Sequence, residues 1–386
     1  MASKLSNNLI RNVFSQIHKR FLQSSATLSS TPPLPYTVTS SSSSFTVQFL
    51  VNSCGLPLKS ALSISGKFQL DERNPQKPQS VLQLLKSHHF SDTQVAKLIV
   101  KYPRILHIKV KDNLQPKLEY FVESGFAGEL LPQIIVSKPY ALFRSLDSQI
   151  KPCVEFLRSF LHSNDKIATA ILRSRWLFDF NLNGMMRANV DFLMKEGVPS
   201  HGIGKLILSG RVLSYNSETM IYAVNDVKTL GLEPNAPMFV HALKVMISMS
   251  ASTWEKKIGF MKSMGWKEED ILKAFTRHPY YLAFSEAKIR KALHFYLNIM
   301  KLQPKSLVAN PVLLGLSVEK RIRPRFNVLN ILESKKLIEI NKKDFKKDFM
   351  ISEKDFKQKY VDEYIPKVPG LLEIYLGSNE SKKIDT

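Results

Sequence analysis

An apolar helical run that stops at Pro-x-x-Leu, and does so repeatedly, constrains this chain more than any other feature. Val95-Ala-Lys-Leu-Ile-Val100 has helical periodicity, and Lys101-Tyr-Pro-Arg-Ile-Leu106 follows it directly. Proline lacks the N–H that a helix interior needs, and its ring clashes one turn back. Pro103 therefore ends or kinks the helix, and Leu106 packs just beyond the break. The arrangement returns at Pro139 and Leu142, at Pro279 and Leu282, and at Pro311 and Leu314. The step is too short for a full helix, so one extra turn of 3₁₀ type is expected.

A second marker sets the period. Gly55-Leu56, Gly125-Phe126, Gly197-Val198, Gly231-Leu232 and Gly265-Trp266 each lie between two helical runs, and Phe90 and Leu302 hold the apolar place without a glycine. The apolar positions 56, 90, 126, 198, 232, 266 and 302 are separated by 34, 36, 72, 34, 34 and 36 residues. The double gap has its midpoint at His162, so eight units of 34–36 residues fit between about 45 and 330. In each, a first helix closes on the glycine marker, a capped second helix follows, and Pro-x-x-Leu ends the unit. Ser91 suits the N-cap before Val95. Two helices and a turn cannot bury their apolar faces alone, so neighbours must stack. The predicted fold is all-α, a superhelical α-solenoid of about eight such repeats. Three units depart from the rule. Arg175 stands where a proline is due, Arg211 belongs to a step one residue short, and the unit near 246 has no proline.

The ends read differently. Residues 1–44 carry Lys4, Arg11, Lys19 and Arg20, and the first acid of the chain is Asp71. Leu9, Ile10, Val13, Phe14, Ile17 and Phe21 recur at helical spacing, ahead of a Ser/Thr/Pro-rich stretch. An amphipathic, acid-free, Ser-rich leader predicts a cleaved organellar transit peptide over 1–44. Its Arg-bearing helix points to the mitochondrion, and its serine content leaves the chloroplast as the alternative. The repeat array is expected over 45–330, a basic helical cap over 331–377 and a disordered tail over 378–386.

Charge then narrows the function. The formal net charge is +22. Residues 71–319 carry 33 Lys and Arg against 22 Asp and Glu, so the excess is spread along the folded part. That favours an extended polyanion over a membrane contact made by a tail. No apolar run is long enough to span a membrane. Cys54 and Cys153 make neither a disulfide framework nor a metal pattern and read as buried thiols. Nine scattered histidines form no ligand cluster, and His88-His89 reads as a loop pair. Gly202-Ile-Gly-Lys205 lacks the further glycine and the preceding strand of a dinucleotide site. Glu268-Glu-Asp270 reads as complementing a helix N-terminus. No enzyme, cofactor or metal is indicated.

The basic residues remain. Lys101, Arg104, Arg144, Arg173 and Arg175 lie near a second helix or its closing turn, as do Lys205, Arg211 and Arg277; Arg187 belongs with them. Lys320, Arg321, Arg323 and Arg325 form the densest cluster. Arg321 and Arg323 lie two apart, and Pro324 breaks a helix, so a turn or helix end is expected there. One cation per repeat would line a groove that tracks a phosphate backbone; each taken singly reads equally as a solvated surface charge. Tyr102, Tyr140, Trp176, Tyr280 and Tyr281 offer faces for base stacking, although the packing turn favours core for most of them.

With these repeats the chain resembles the mitochondrial transcription termination factor (mTERF) family, in its plant branch. The resemblance is carried by Gln94 to Leu106, Asn113-Leu-Gln-Pro-Lys-Leu-Glu-Tyr-Phe121, Phe192 to Val198 and Gly265 to Leu272. Its terminal signature is Glu319-Lys-Arg-Ile-Arg-Pro-Arg325, followed by Phe356 to Tyr360 and Val368-Pro-Gly-Leu-Leu372. The resemblance implies a left-handed superhelix whose basic concave groove binds organellar nucleic acid, double-stranded DNA first. It implies a monomer that regulates transcription or processes RNA, alongside the organellar transcription or splicing machinery. A protein-binding scaffold of the tetratricopeptide type is the alternative; the missing W-x₂-L-G-x₂-Y pattern and the basic charge stand against it.

Overall fold

Each first helix ends in a left-handed residue. In the computed structural model, which describes residues 42–173, 184–339 and 345–380, Gly55, His89, Gly125, His162, Gly197, Gly231, Gly265 and Lys301 have φ between 52° and 95°. The next residue is apolar in seven of the eight cases. Phe90, Phe126, Val198, Leu232 and Trp266 each donate their N–H to the carbonyl five residues back, at 2.9–3.3 Å, and bury their side chains against the helix just ended. This is a Schellman closure. It reverses the chain in one step, and all eight expected markers fall at such a reversal. The absence of a side chain makes glycine the natural choice there.

The reversals join eight helix pairs. In the N-terminal half of the described chain these are Ser42–Asn52 with Leu58–Ser65, Gln76–Ser87 with Asp92–Lys101, Gln115–Glu123 with Leu130–Ser137, Lys151–Leu161 with Asn164–Arg173, and Met185–Lys195 with Ser200–Leu208. Residues 42–220 form one compact unit and 221–380 another. The second holds Ala251–Ser263 with Glu268–Arg277 and Glu286–His294 with Pro304–Ala309, and the boundary falls inside Ser217–Thr229, partner of Phe239–Ser248. No strand occurs among the described residues. The all-α repeat fold is as expected. Ser91 caps its helix in a full capping box with Gln94, also as expected.

The Pro-x-x-Leu steps are 3₁₀ turns: Pro103–His107, Pro139–Phe143, Pro279–Ala283 and Pro311–Gly315. Tyr102, Lys138, His278 and Asn310, just before each proline, have φ from −128° to −154° and ψ from 60° to 81°, outside the helical region that a following proline disfavours. Leu106, Leu142, Leu282 and Leu314 are fully buried. Arg211–Ser214 makes the same 3₁₀ turn without a proline, with Leu213 in the buried place. After Phe239–Ser248 there is no such turn, and Met249 runs extended into the Ser250 cap. Arg175 and Trp176 lie outside the described residues.

The carbonyls at the ends of these turns need donors, and in four repeats the first helix of the same repeat supplies one. Buried Lys117 donates from Nζ to Leu142 O at 2.6 Å, and buried Asn189 donates to Leu213 O at 3.0 Å and to Tyr215 O at 2.7 Å. Lys257 reaches Phe284 O, and in the next repeat Tyr296 Oη donates to Leu313 O at 3.2 Å. Lys117, Asn189 and Lys257 are 72 and 68 residues apart, two repeats each time.

Among the described residues, four first helices contain a wide π-turn: Val110–Leu114, Leu146–Ile150, Phe295–Ile299 and Val318–Ile322. Each closes with a bond from an N–H to the carbonyl five residues back, as from Leu114 to Lys109 O at 3.1 Å. In three of them a proline, Pro116, Pro152 or Pro324, follows two residues later. The widened turn gives its ring room and leaves no acceptor waiting for the missing N–H. Where the left-handed residues are 34 apart (55 to 89, 197 to 231, 231 to 265), the first helix has no wide turn. Where they are 35–37 apart and the chain between is described, one is present.

Arg323–Ser334 continues Val318–Ile322 as helix. The expected break at Pro324 is thus replaced by a wide turn, and Arg321 and Arg323 lie on one helical stretch. It closes on left-handed Lys336, like the first helices before it. Phe345–Met350, Glu353–Tyr360 and Leu371–Glu380 complete the described chain. Residues 1–41 of the leader expected over 1–44 lie outside the described residues, and its last three open the helix Ser42–Asn52.

Candidate nucleic-acid interface

Lys101, Arg173 and Arg277 are each the last residue of a second helix. A cation there offsets the negative end of the helix dipole, which explains its place locally. All three are exposed, and Arg277 also donates to Val308 O at 3.2 Å. Arg104 and Arg211 stand exposed in the 3₁₀ turns that follow such helices. Lys205 is exposed on Ser200–Leu208. Its neighbour Gly204 is buried, and a Cβ there would stand 3.0 Å from the Phe160 carbonyl oxygen. The Gly202 to Lys205 stretch is thus a close helix contact rather than a phosphate loop. Arg187, on a first helix, is exposed and faces Asp191 at 3.7 Å. Arg144 is half-buried in the link after Pro139–Phe143.

The terminal cluster is placed otherwise. Arg325 is fully buried, which corrects its reading as a phosphate ligand. Its Nη1 donates to Asp348 O, Phe349 O and Ile351 O at 3.0, 3.3 and 2.8 Å, and its Nη2 to Ser352 O and Glu353. The guanidinium lies 4.6 Å from the Phe356 ring centroid. Arg321 donates to the carbonyls of Phe349, Met350 and Ile351, and burial beside Arg325 lowers its pKa. Arg323 pairs with Glu319 at 2.9 Å and lies 4.9 Å from the Phe295 ring centroid. Of the four, only Lys320 is exposed. Arg325 lies 68 residues after Lys257 and continues the series of Lys117, Asn189 and Lys257. That spacing was present in the sequence and marks it as a donor to its own closing segment.

Glu319 also accepts from Lys291 at 2.9 Å. Hydrogen bonds from Arg323 and Lys291 hold its pKa at about 2, against an ordinary 4.5. The folded state therefore favours the carboxylate, so this stabilisation is complete above pH 4.5 and is lost as the pH falls towards 2. The difference in urea midpoint between wild type and Glu319→Gln is expected to be full at neutral pH and to close over that window. A gap independent of pH would exclude the carboxylate as its source.

Other chemistry is sparse. Burial pushes the Cys54 and Cys153 thiols up to about 12, so both stay protonated at neutral pH. His241 Nδ1 lies 3.1 Å from Tyr280 Oη, and burial together with His241 lowers the His278 pKa. Among the described residues no group of three potential ligands could hold a metal ion, and no helix is long and apolar enough to cross a membrane. Tyr281 is buried core, whereas Tyr102, Tyr140 and Tyr280 are half-buried. Phe143, which sequence reasoning missed, is 45% exposed. It follows Ala141-Leu142 and so reads as core, but its places in the other 3₁₀ turns, His107, Ser214, Ala283 and Gly315, are all small or polar.

The mTERF family model matches residues 82–296 and 212–357. Transcription termination factor MTERF8, chloroplastic, of Arabidopsis thaliana is 20% identical over 231 residues, 59% of this chain and 46% of the relative. Transcription termination factor MTERF15, mitochondrial, of the same plant is 21% identical over 278 residues, 72% of this chain and 53% of the relative. The chain spans about half the length of these curated relatives. With the family model covering most of the repeats just described, the chain belongs to the mTERF family.

Proposed function

We propose that this protein regulates gene expression inside an organelle by binding nucleic acid through its phosphate backbone. The observation that carries the reading is positional. Lys101, Arg173 and Arg277 end the second helices of the second, fourth and seventh pairs, and Arg104 and Arg211 stand in the turns after the second and fifth, so exposed cations recur at the second helix end or its closing turn in four of the eight repeats. Cations that recur along a repeat array suit a polyanion, and arginine adds a planar fork that fits phosphate. The two relatives, named as organellar transcription termination factors, support the same role. The leader favours the mitochondrion as the compartment. Double-stranded DNA is the first ligand to test, with RNA beside it.

The test is affinity against salt. Log affinity for duplex DNA is expected to fall linearly with log salt, with a slope of about −0.9 per phosphate neutralised. Replacing Lys101, Arg104, Arg173 and Arg211 together by glutamine is expected to flatten that slope by about one for each phosphate left without its cation. An affinity indifferent to salt would sink the proposal.

A further inference from the structure

We propose that Phe143, with Tyr102 beside it and a polar cavity before it, forms a subsite for one unpaired nucleotide. The inference rests on the nucleic-acid reading above and adds to it a preference for strands that offer an unstacked base.

Among the described residues Phe143 is the only exposed phenylalanine. The fold does not require it there, because equivalent turns carry His107, Ser214, Ala283 and Gly315. Nor is it an isolated ring. Tyr102, from the preceding repeat, stands 6.3 Å away between centroids at an interplanar angle of 36°, so the two rings make one tilted aromatic ledge. Phe143 borders a cavity of about 370 Å³, room enough for a base and its sugar. Asp112, Asn113, Arg144 and Asp147 line it together with Phe143, as does Lys117, whose ammonium is held by Asn113 and the Leu142 carbonyl.

The lining divides by charge. Asp147 is neutralised by Lys151 at 2.6 Å. Asp112 is exposed and offers an acceptor to the exocyclic amine of a base, a pairing carboxylates make with cytosine. Arg144 adjoins the ring in sequence and lines the same space, where a guanidinium meets a phosphate or sugar oxygen. Lys101 and Arg104 flank Tyr102 and extend the positive surface along the strand. An aromatic face between cations is the arrangement that holds single strands, since every base has a π-face to stack and every linkage a charge. A paired base inside a duplex has both faces covered and cannot use the ledge.

The experiment measures binding of wild type, Phe143→Ala and Phe143→Tyr to a short unstructured oligonucleotide, as RNA and as DNA, and to a duplex of the same sequence. Phe143→Ala is expected to bind the single strand about 5- to 150-fold more weakly, the loss of one stacked base. Its duplex affinity and its salt slope should match wild type, because every cation that faces a phosphate is kept, and Phe143→Tyr should restore single-strand binding. Loss in the RNA arm alone would assign the subsite to RNA and still support it. Phe143→Ala binding the single strand like wild type, or losing duplex affinity equally, overturns the subsite alone. Wild type that binds neither polymer overturns the nucleic-acid reading, and the subsite with it.

Discussion

Arg325→Ala is expected to lower the stability of the C-terminal segment by about 3–5 kcal/mol, the range for leaving a buried charge network without one partner. The side chain is fully buried and serves four main-chain carbonyls, from Asp348, Phe349, Ile351 and Ser352, as well as Glu353. Without it these acceptors stay in place with little water to replace the donor, and each unmet buried group costs about 1–3 kcal/mol. Some of that is offset because the guanidinium need no longer be desolvated. Hydrogen exchange at residues 345–360 reads the local effect directly. Arg325→Met keeps the length and packing of the side chain, so it isolates the donors. Wild-type protection in Arg325→Met would show that packing alone holds the segment.

Leu282→Ala is expected to cost about 2–5 kcal/mol by removing a fully buried leucine and leaving a cavity. Pro279→Ala, three residues away in the same 3₁₀ turn, should cost no more than about 1 kcal/mol, mainly through the freedom it returns to the unfolded chain. The contrast comes from Arg211–Ser214, which makes the turn without proline yet still buries Leu213. The leucine is the anchor, and the proline biases the residue before it. Urea denaturation of both variants compares them. Equal losses would mean that the proline, rather than the buried side chain, holds the joint.

Much of the fold was legible because its signals are local. The left-handed reversal needs a glycine or a tolerant residue and then an apolar one, all within a few positions, so the markers at 56 to 302 located the reversal inside each of the eight helix pairs, though not the one at Lys336. Even His162, reached only as a midpoint, is left-handed. The terminal arginines misled for the opposite reason. The acceptors of Arg321 and Arg325 lie 23–30 residues further on, and three cations within five residues look like surface when those carbonyls are out of view. Pro324 misled because a wide turn lets a helix pass a proline, which periodicity of 3.6 does not anticipate. Phe143 was hidden by its apolar neighbours, and its exposure became visible only when the equivalent turns were compared in three dimensions.

Adding one residue to an α-helix rotates everything beyond it by about 100°, enough to swing a core-facing stripe into water. A wide turn takes up the extra residue and returns the rest of the helix in phase. Repeats of 35–37 residues are one to three residues longer than the 34-residue ones, and the wide turn takes up one of those residues inside the first helix. Length polymorphism among such chains is then expected inside first helices as well as in loops. Removing one residue from Val110–Leu114 should restore an ordinary helical turn while the buried face, and the reach of Lys117 to its carbonyl, stay in register.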